Sequence, residues 1–131
     1  MTHMTPIYVR SSIEVQDDGG DVEVAVVVGF ANLFSGKLNI KPVGGSLSTL
    51  VPEVEAGTHY SLGSAADLVT NHVRMILTGQ VGDPNGAVQG SFFVVCTFYQ
   101  DGQSIGSSDP ATGKYAPGDA LQVLNIICSF T

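Results

Sequence analysis

Tryptophan is absent from this chain and positive charge is nearly so: five Lys and Arg stand against twelve Asp and Glu, a formal net charge of −7. The cations, Arg10, Lys37, Lys41, Arg74 and Lys114, are scattered with no run among them. A nucleic-acid binder needs clustered cations to displace the counterions condensed on phosphates, so no nucleic-acid partner is expected. An anionic membrane surface is disfavoured on the same ground. No apolar run reaches the ~18 residues of a spanning helix, so no membrane insertion is expected. The opening MTHMTPIYVR lacks a charged segment followed by an apolar one. It predicts no secretory signal and a cytoplasmic location by default, with non-classical export as the other route.

Cysteine is also scarce. Cys96 and Cys128 both lie inside apolar runs, where a thiol behaves as a small buried hydrophobe. Two reduced, buried thiols are the expectation, and a single bridge between neighbouring strands is the alternative. A disulfide scaffold would show more cysteines, placed in loops.

What the chain does have is apolar residues, 44% of 131, with only 13% charged. Ordinary soluble domains carry ~25% charged residues. The length suits one domain, residues 1–131, with enough apolar side chain for a core. The dominant period is two, the signature of strands. IYVRSSIEVQ (7–16) ends at the turn signal DDGGD (17–21). VEVAVVVGFANLF (22–34) reads as one long strand bent at Gly29, after which SGK turns the chain into LNIKPV (38–43). LSTLV (47–51) and THYSLG (58–63) are short strands. Residues 64–79 fit either a helix capped by Ser64 or a strand; the reading adopted is a helical turn over 64–69 and a strand over 72–81. GDPNG (82–86) then predicts a long antiparallel hairpin whose return arm is AVQGSFFVVCTFYQ (87–100). DG (101–102) turns into QSIGS, residues 108–119 form a loop, and ALQVLNIICSFT (120–131) is the last strand. The expected fold is all-β: a single antiparallel β-sandwich, or flattened barrel, of about eight strands.

FSGKLNI, VEAGTHYSL and NHVRMILTGQ, within roughly residues 34–81, resemble short bacterial all-β domains of unknown function. The resemblance implies a β-sandwich and supports the strand over 72–81. It implies no activity and transfers no functional residue.

Few residues suggest chemistry. His3, His59 and His72 belong to no nucleophile–base constellation, and the chain has no G-x-S-x-G, H-E-x-x-H or C-x-x-C motif. The expectation is a protein that is not an enzyme. Asp17, Asp18, Asp21, Asp83, Asp101, Asp109 and Asp119 all fall in predicted turns. An up-and-down run of strands would bring the loop 17–21 and Asp101 to one end. Asp17, Asp18, Asp21 and Asp101 are then the candidate calcium ligands, calcium being the one cofactor considered. Ordinary turn chemistry explains the same residues.

The strands with two apolar faces carry the strongest signal. In SFFVVCTFYQ (91–100), Phe92, Val94, Cys96 and Phe98 point one way, and Phe93, Val95 and Tyr99 the other. Val123 and Ile127 are set apart in the last strand in the same manner. A sandwich buries one face of each sheet, so Phe93, Val95, Tyr99, Val123 and Ile127 are the candidate interface. The cover is either a second subunit or a piece of the same chain, the 108–119 loop or the 64–69 turn. The expected function is a non-catalytic, self-associating binding or assembly protein, a homo-oligomer using an apolar sheet face. The alternatives are a carbohydrate-binding module using the acidic loops, with or without calcium, and a small acidic inhibitor or immunity-type protein docking on a basic protein partner.

Overall fold

The computed structural model describes residues 5–30, 32–83, 90–115 and 121–131. Two sheets pack face to face. The first has the order β1 (Ile7–Ile13), β10 (Leu121–Phe130), β6 (Arg74–Gly82), β3 (Leu33–Lys41), β4 (Ser48–Val51). The second runs β5 (His59–Gly63), β2 (Val22–Val28), β7 (Ser91–Gln100), β8 (Gln103–Ser107), with β9 (Ala111–Lys114) also paired to β7. Both paths have free ends among the described residues, so the architecture is a sandwich and not a barrel. The inward sets of both sheets form one core cluster, including Val24, Leu38, Met75, Leu77, Val94, Phe98 and Ile126, all 0% exposed. Among the described residues no helix is long and apolar enough to cross a membrane.

The one helix among the described residues, α1 (Ala65–Thr70), starts where Ser64 Oγ accepts from Asp67 N at 3.2 Å, a side-chain cap for an otherwise orphaned donor. Ala65 and Leu68 are buried in the core cluster. Helical turn and strand thus follow each other as expected in 64–82.

Strand pairing departs from the expectation in four places. The 72–100 hairpin does not form: β6 belongs to the first sheet, between β3 and β10, and β7 to the second, between β2 and β8. Both strands have an apolar inward face, and they bury these faces against opposite sides of the core instead of sharing one ladder. Pro84–Gly86 of the proposed turn lie outside the described residues. DDGGD likewise carries the chain from one sheet to the other, leaving β1 parallel to β10, with Val9 opposite Ile126. The sandwich is therefore mostly, not wholly, antiparallel.

The third departure lies at residues 22–41. The strand ends at Val28, and Ser35–Lys37 sit within β3, not in a turn. The corner is made instead by Phe30, at φ 57°, and by Asn32. Asn32 Nδ2 donates to Gly29 O at 3.2 Å and Ser91 O at 2.8 Å, and its Oδ1 accepts from Tyr115 Oη at 3.0 Å. One amide side chain so supplies the bonds that the crossing backbone would lack. Glycine at 36 serves close packing: it faces Gly79 across the ladder, and a Cβ there would stand 2.8 Å from Thr78 O. Finally, part of the expected 108–119 loop is β9, which brings the number of strands among the described residues to ten.

Candidate functional site

In β7 the alternation holds without a break. Phe92, Val94, Cys96, Phe98 and Gln100 are buried, and Phe93, Val95, Thr97 and Tyr99 are half-buried. Among the described residues neither proposed cover from the same chain lies over that outward set; residues 116–119 of the 108–119 loop lie outside the described residues. Residues 108–115 run in the plane of the sheet: Ser108 N donates to Cys96 O at 2.8 Å, Cys96 N donates to Ser108 Oγ at 3.0 Å, and β9 continues the ladder from Ala111. The helix is committed to the core.

Partial shelter comes from neighbouring strands. Tyr99 lies under His59, ring centroids 4.4 Å apart, and His59 Nδ1 is 3.3 Å from Glu23 Oε1. Thr97 meets Ser107 through a 3.2 Å hydroxyl pair. Phe93 lies beside Gly29, where an added Cβ would come within 3.2 Å of Phe93 Cβ. The pair Val27–Val95 has the least cover. Strand β5 starts opposite Ala25, and β7 is flanked by β8 up to Ser107 and by β9 from Ala111. Val27 is 42% exposed and Phe30, at the end of the same strand, 67%. The result is an apolar stripe of Val27, Val95 and Phe93, closed at one end by the polar group Glu23, His59 and Tyr99.

Val123 and Ile127 do not join this stripe. Strand β10 lies in the first sheet, so they are half-buried on the opposite outer face of the molecule. The five candidate interface residues therefore fall into two groups on two faces. Sequence alternation placed each residue on the correct side of its own strand but carried no information about which sheet that strand joins.

The acidic loops do meet. Gly20 N donates to both carboxylate oxygens of Asp101, at 3.2 and 3.3 Å. Beneath them, the buried Gln100 amide accepts from Gln16 N at 2.8 Å and donates to Gln16 O and Gly20 O at 3.0 Å each. Asp101, at φ 52°, thus fastens the 17–21 turn to the β7–β8 turn. Among the described residues no group of three or more His, Cys, Asp or Glu is placed to hold a metal ion. Gln100, missed in the sequence, is the organiser of this end; its position in the inward series of β7 was the available signal.

Cys96 and Cys128 are free and buried. Burial pushes both thiols up, Cys96 strongly with the neighbouring Cys128 adding to it, and Cys128 to about 12 with Asp109 adding to it. Such thiols stay protonated and are poor nucleophiles.

The chain matches no protein-family model, no curated protein and no solved structure. This agrees with a resemblance that reached only domains of unknown function.

Proposed function

We propose that the chain is a non-catalytic β-sandwich assembly protein that self-associates through the outer face of the second sheet. The observation that supports this reading is the stripe Val27, Val95 and Phe93, which the described part of the loop, residues 108–115, and the helix leave without a cover. Apolar patches of a few hundred Å² on a soluble protein mark interaction sites.

Magnitudes set the kind of association. Four strands about 4.8 Å apart and roughly seven residues long make a face of about 19 by 23 Å. That is about 440 Å², roughly half of the ~800 Å² per partner of a standard stable interface. Phe93 and Val95 are already half-buried and Val27 is 42% exposed, so each recovers only part of the roughly 1.5–3 kcal/mol of full burial, against the entropy lost on docking. The reading is thus of a reversible, concentration-dependent assembly. Sedimentation velocity over a range of concentrations tests it: the parent chain is expected to shift from smaller to larger species as concentration rises, and Val95→Asp to remain folded and monomeric. A parent chain that stays monomeric at the highest concentration would remove the reading.

A further inference from the structure

The cations that look scattered in the sequence are gathered in space. Four of the five lie on strands of the first sheet: Arg10 on β1, Lys37 and Lys41 on β3, Arg74 on β6. None of the twelve acids lies on any of that sheet's five strands. Strand alternation decides the direction. Val9, Leu38, Ile40, Met75 and Leu77 belong to the core or pack against it, so Arg10, Lys37, Lys41 and Arg74 point outward, and all four are exposed. A chain of net charge −7 thereby carries one outer face with only positive charge on its strands.

The arrangement is costly without a partner. Lys41 and Arg74 stand directly opposite each other in the ladder, and like charges so placed repel. Among the described residues neither makes an ion pair. A cleft of about 290 Å³ opens beside them, with Lys41, His72, Arg74 and Ser129 in its lining. Glu53 and Glu55 lie on the wall of a second groove, of about 560 Å³, that contains Lys37 and Val123.

Spacing and composition choose among anionic partners. Apart from the Lys41–Arg74 pair, neighbouring cations are roughly 12–14 Å apart, from about 4.8 Å between strands and about 6.8 Å per two residues. Duplex DNA presents a charge every ~1.7 Å of its axis and rewards a denser array. Half-buried Ile127 and Ile76 stand level with Arg10, between it and the β3 cations, and the same face carries half-buried Val123 and the exposed Tyr8. Apolar groups, Tyr and Arg without acids make the composition of a protein-binding face. We propose that the outer face of the first sheet docks an acidic polypeptide, with carboxylates at the Lys41–Arg74 cleft and at Arg10 and apolar side chains over Ile76 and Ile127. This is independent of the self-association reading, which uses the opposite face.

The test is a titration of the isotopically labelled full chain, at low and at high salt, with a synthetic peptide alternating glutamate and leucine, and separately with a heparin oligosaccharide. Saturable, salt-sensitive amide shifts on β1, β3 and β6 with the peptide are expected. Lys41→Ala with Arg74→Ala should weaken binding more than tenfold, and Lys114→Ala, on the second sheet, should leave it unchanged. No saturable shift at low salt would overturn the proposal, as would equal weakening by Lys114→Ala. Heparin binding as tightly as the peptide with the same footprint would assign the face to polyanions instead. Shifts of these amides on dilution alone would make the acidic loops of a second copy the occupant, and would overturn it too.

Discussion

The outer faces of the two sheets are built on the same plan and finished differently. Each rests on a strand whose inward residues fill the common core, β7 in one sheet and β10 in the other. On the second sheet the outward residues are apolar along Val27, Val95 and Phe93, with Glu23 and Lys114 the charged groups on its strands. On the first, polar and cationic residues are interleaved with single apolar ones, and hydrogen bonds such as Thr78 Oγ1 to Asn125 Oδ1 at 3.0 Å and Thr49 Oγ1 to Asn39 Oδ1 at 2.9 Å occupy part of the surface. The difference teaches that a strand with two apolar faces does not by itself predict an apolar surface. The neighbours supplied by the sheet decide whether the outward residues form a stripe or stand singly.

The largest effect separates core from surface on one strand. Val94→Asp places an unpaired carboxylate at a site 0% exposed; the expected result is loss of the cooperative unfolding transition in circular dichroism. Val95→Asp, one residue on, should keep that transition, and its loss would mean that the outward face is structural.

A second pair contrasts the sheets through glycine. A Cβ at Gly79 would come within 2.6 Å of Ser35 O, a backbone atom of the adjacent strand. Gly79→Ala should therefore cost about 1–3 kcal/mol in a denaturant titration. At Gly29 the obstacle is the Phe93 side chain at 3.2 Å, which has room to move outward, so Gly29→Ala should cost less than about 1 kcal/mol. Equal costs would deny that the first sheet is the more tightly closed at this pair.

Both sheets contribute one thiol to the shared core. The folded chain holds these protons more tightly than the unfolded chain, whose thiols titrate near 9.0, with Cys128 raised to about 12. Folding stability from this source is intact below pH 9.0 and falls as pH rises towards 12, because the unfolded state then releases protons that the folded state keeps. The Cys96→Ala, Cys128→Ala double variant should lose stability less steeply over that window. In native buffer near neutral pH, a thiol reagent should react slowly with the parent chain and reach two thiols only on unfolding.

The smallest effect belongs to the cationic face. Lys41→Ala removes a repulsion with Arg74 and should stabilise the chain by a few tenths of a kcal/mol at low salt, less at high salt. Destabilisation would show that the two side chains are held apart by contacts other than water.

How much of this was legible depends on the range of the interaction. Alternation in SFFVVCTFYQ and LQVLNIICSF, the Ser64 cap and the turn at Asp101–Gly102 are local, and each was readable from neighbouring residues. So was the meeting of the 17–21 loop with Asp101, since it needs only that two strand ends lie at the same end of the sandwich. Sheet membership is not local. A period of two names the face of a strand but not the layer in which it lies, so GDPNG read as a hairpin when β6 and β7 lie on opposite sides of the core. The same limit hid the cationic face: Arg10, Lys41 and Arg74 become neighbours only through the parallel β1–β10 pairing and the β3–β6 ladder. Asn32 was passed over because a lone amide at a corner gives no periodic signal, and Gln100 because its place in the inward series of β7 was not followed past the apolar residues.

The most direct test of the central claim is an isotope-filtered NOE experiment on an equal mixture of labelled and unlabelled chain at high concentration. Contacts between copies from the methyl groups of Val27 and Val95 and from the ring of Phe93 are the predicted result. Contacts between copies confined to Val123 and Ile127, or none at all, would contradict it.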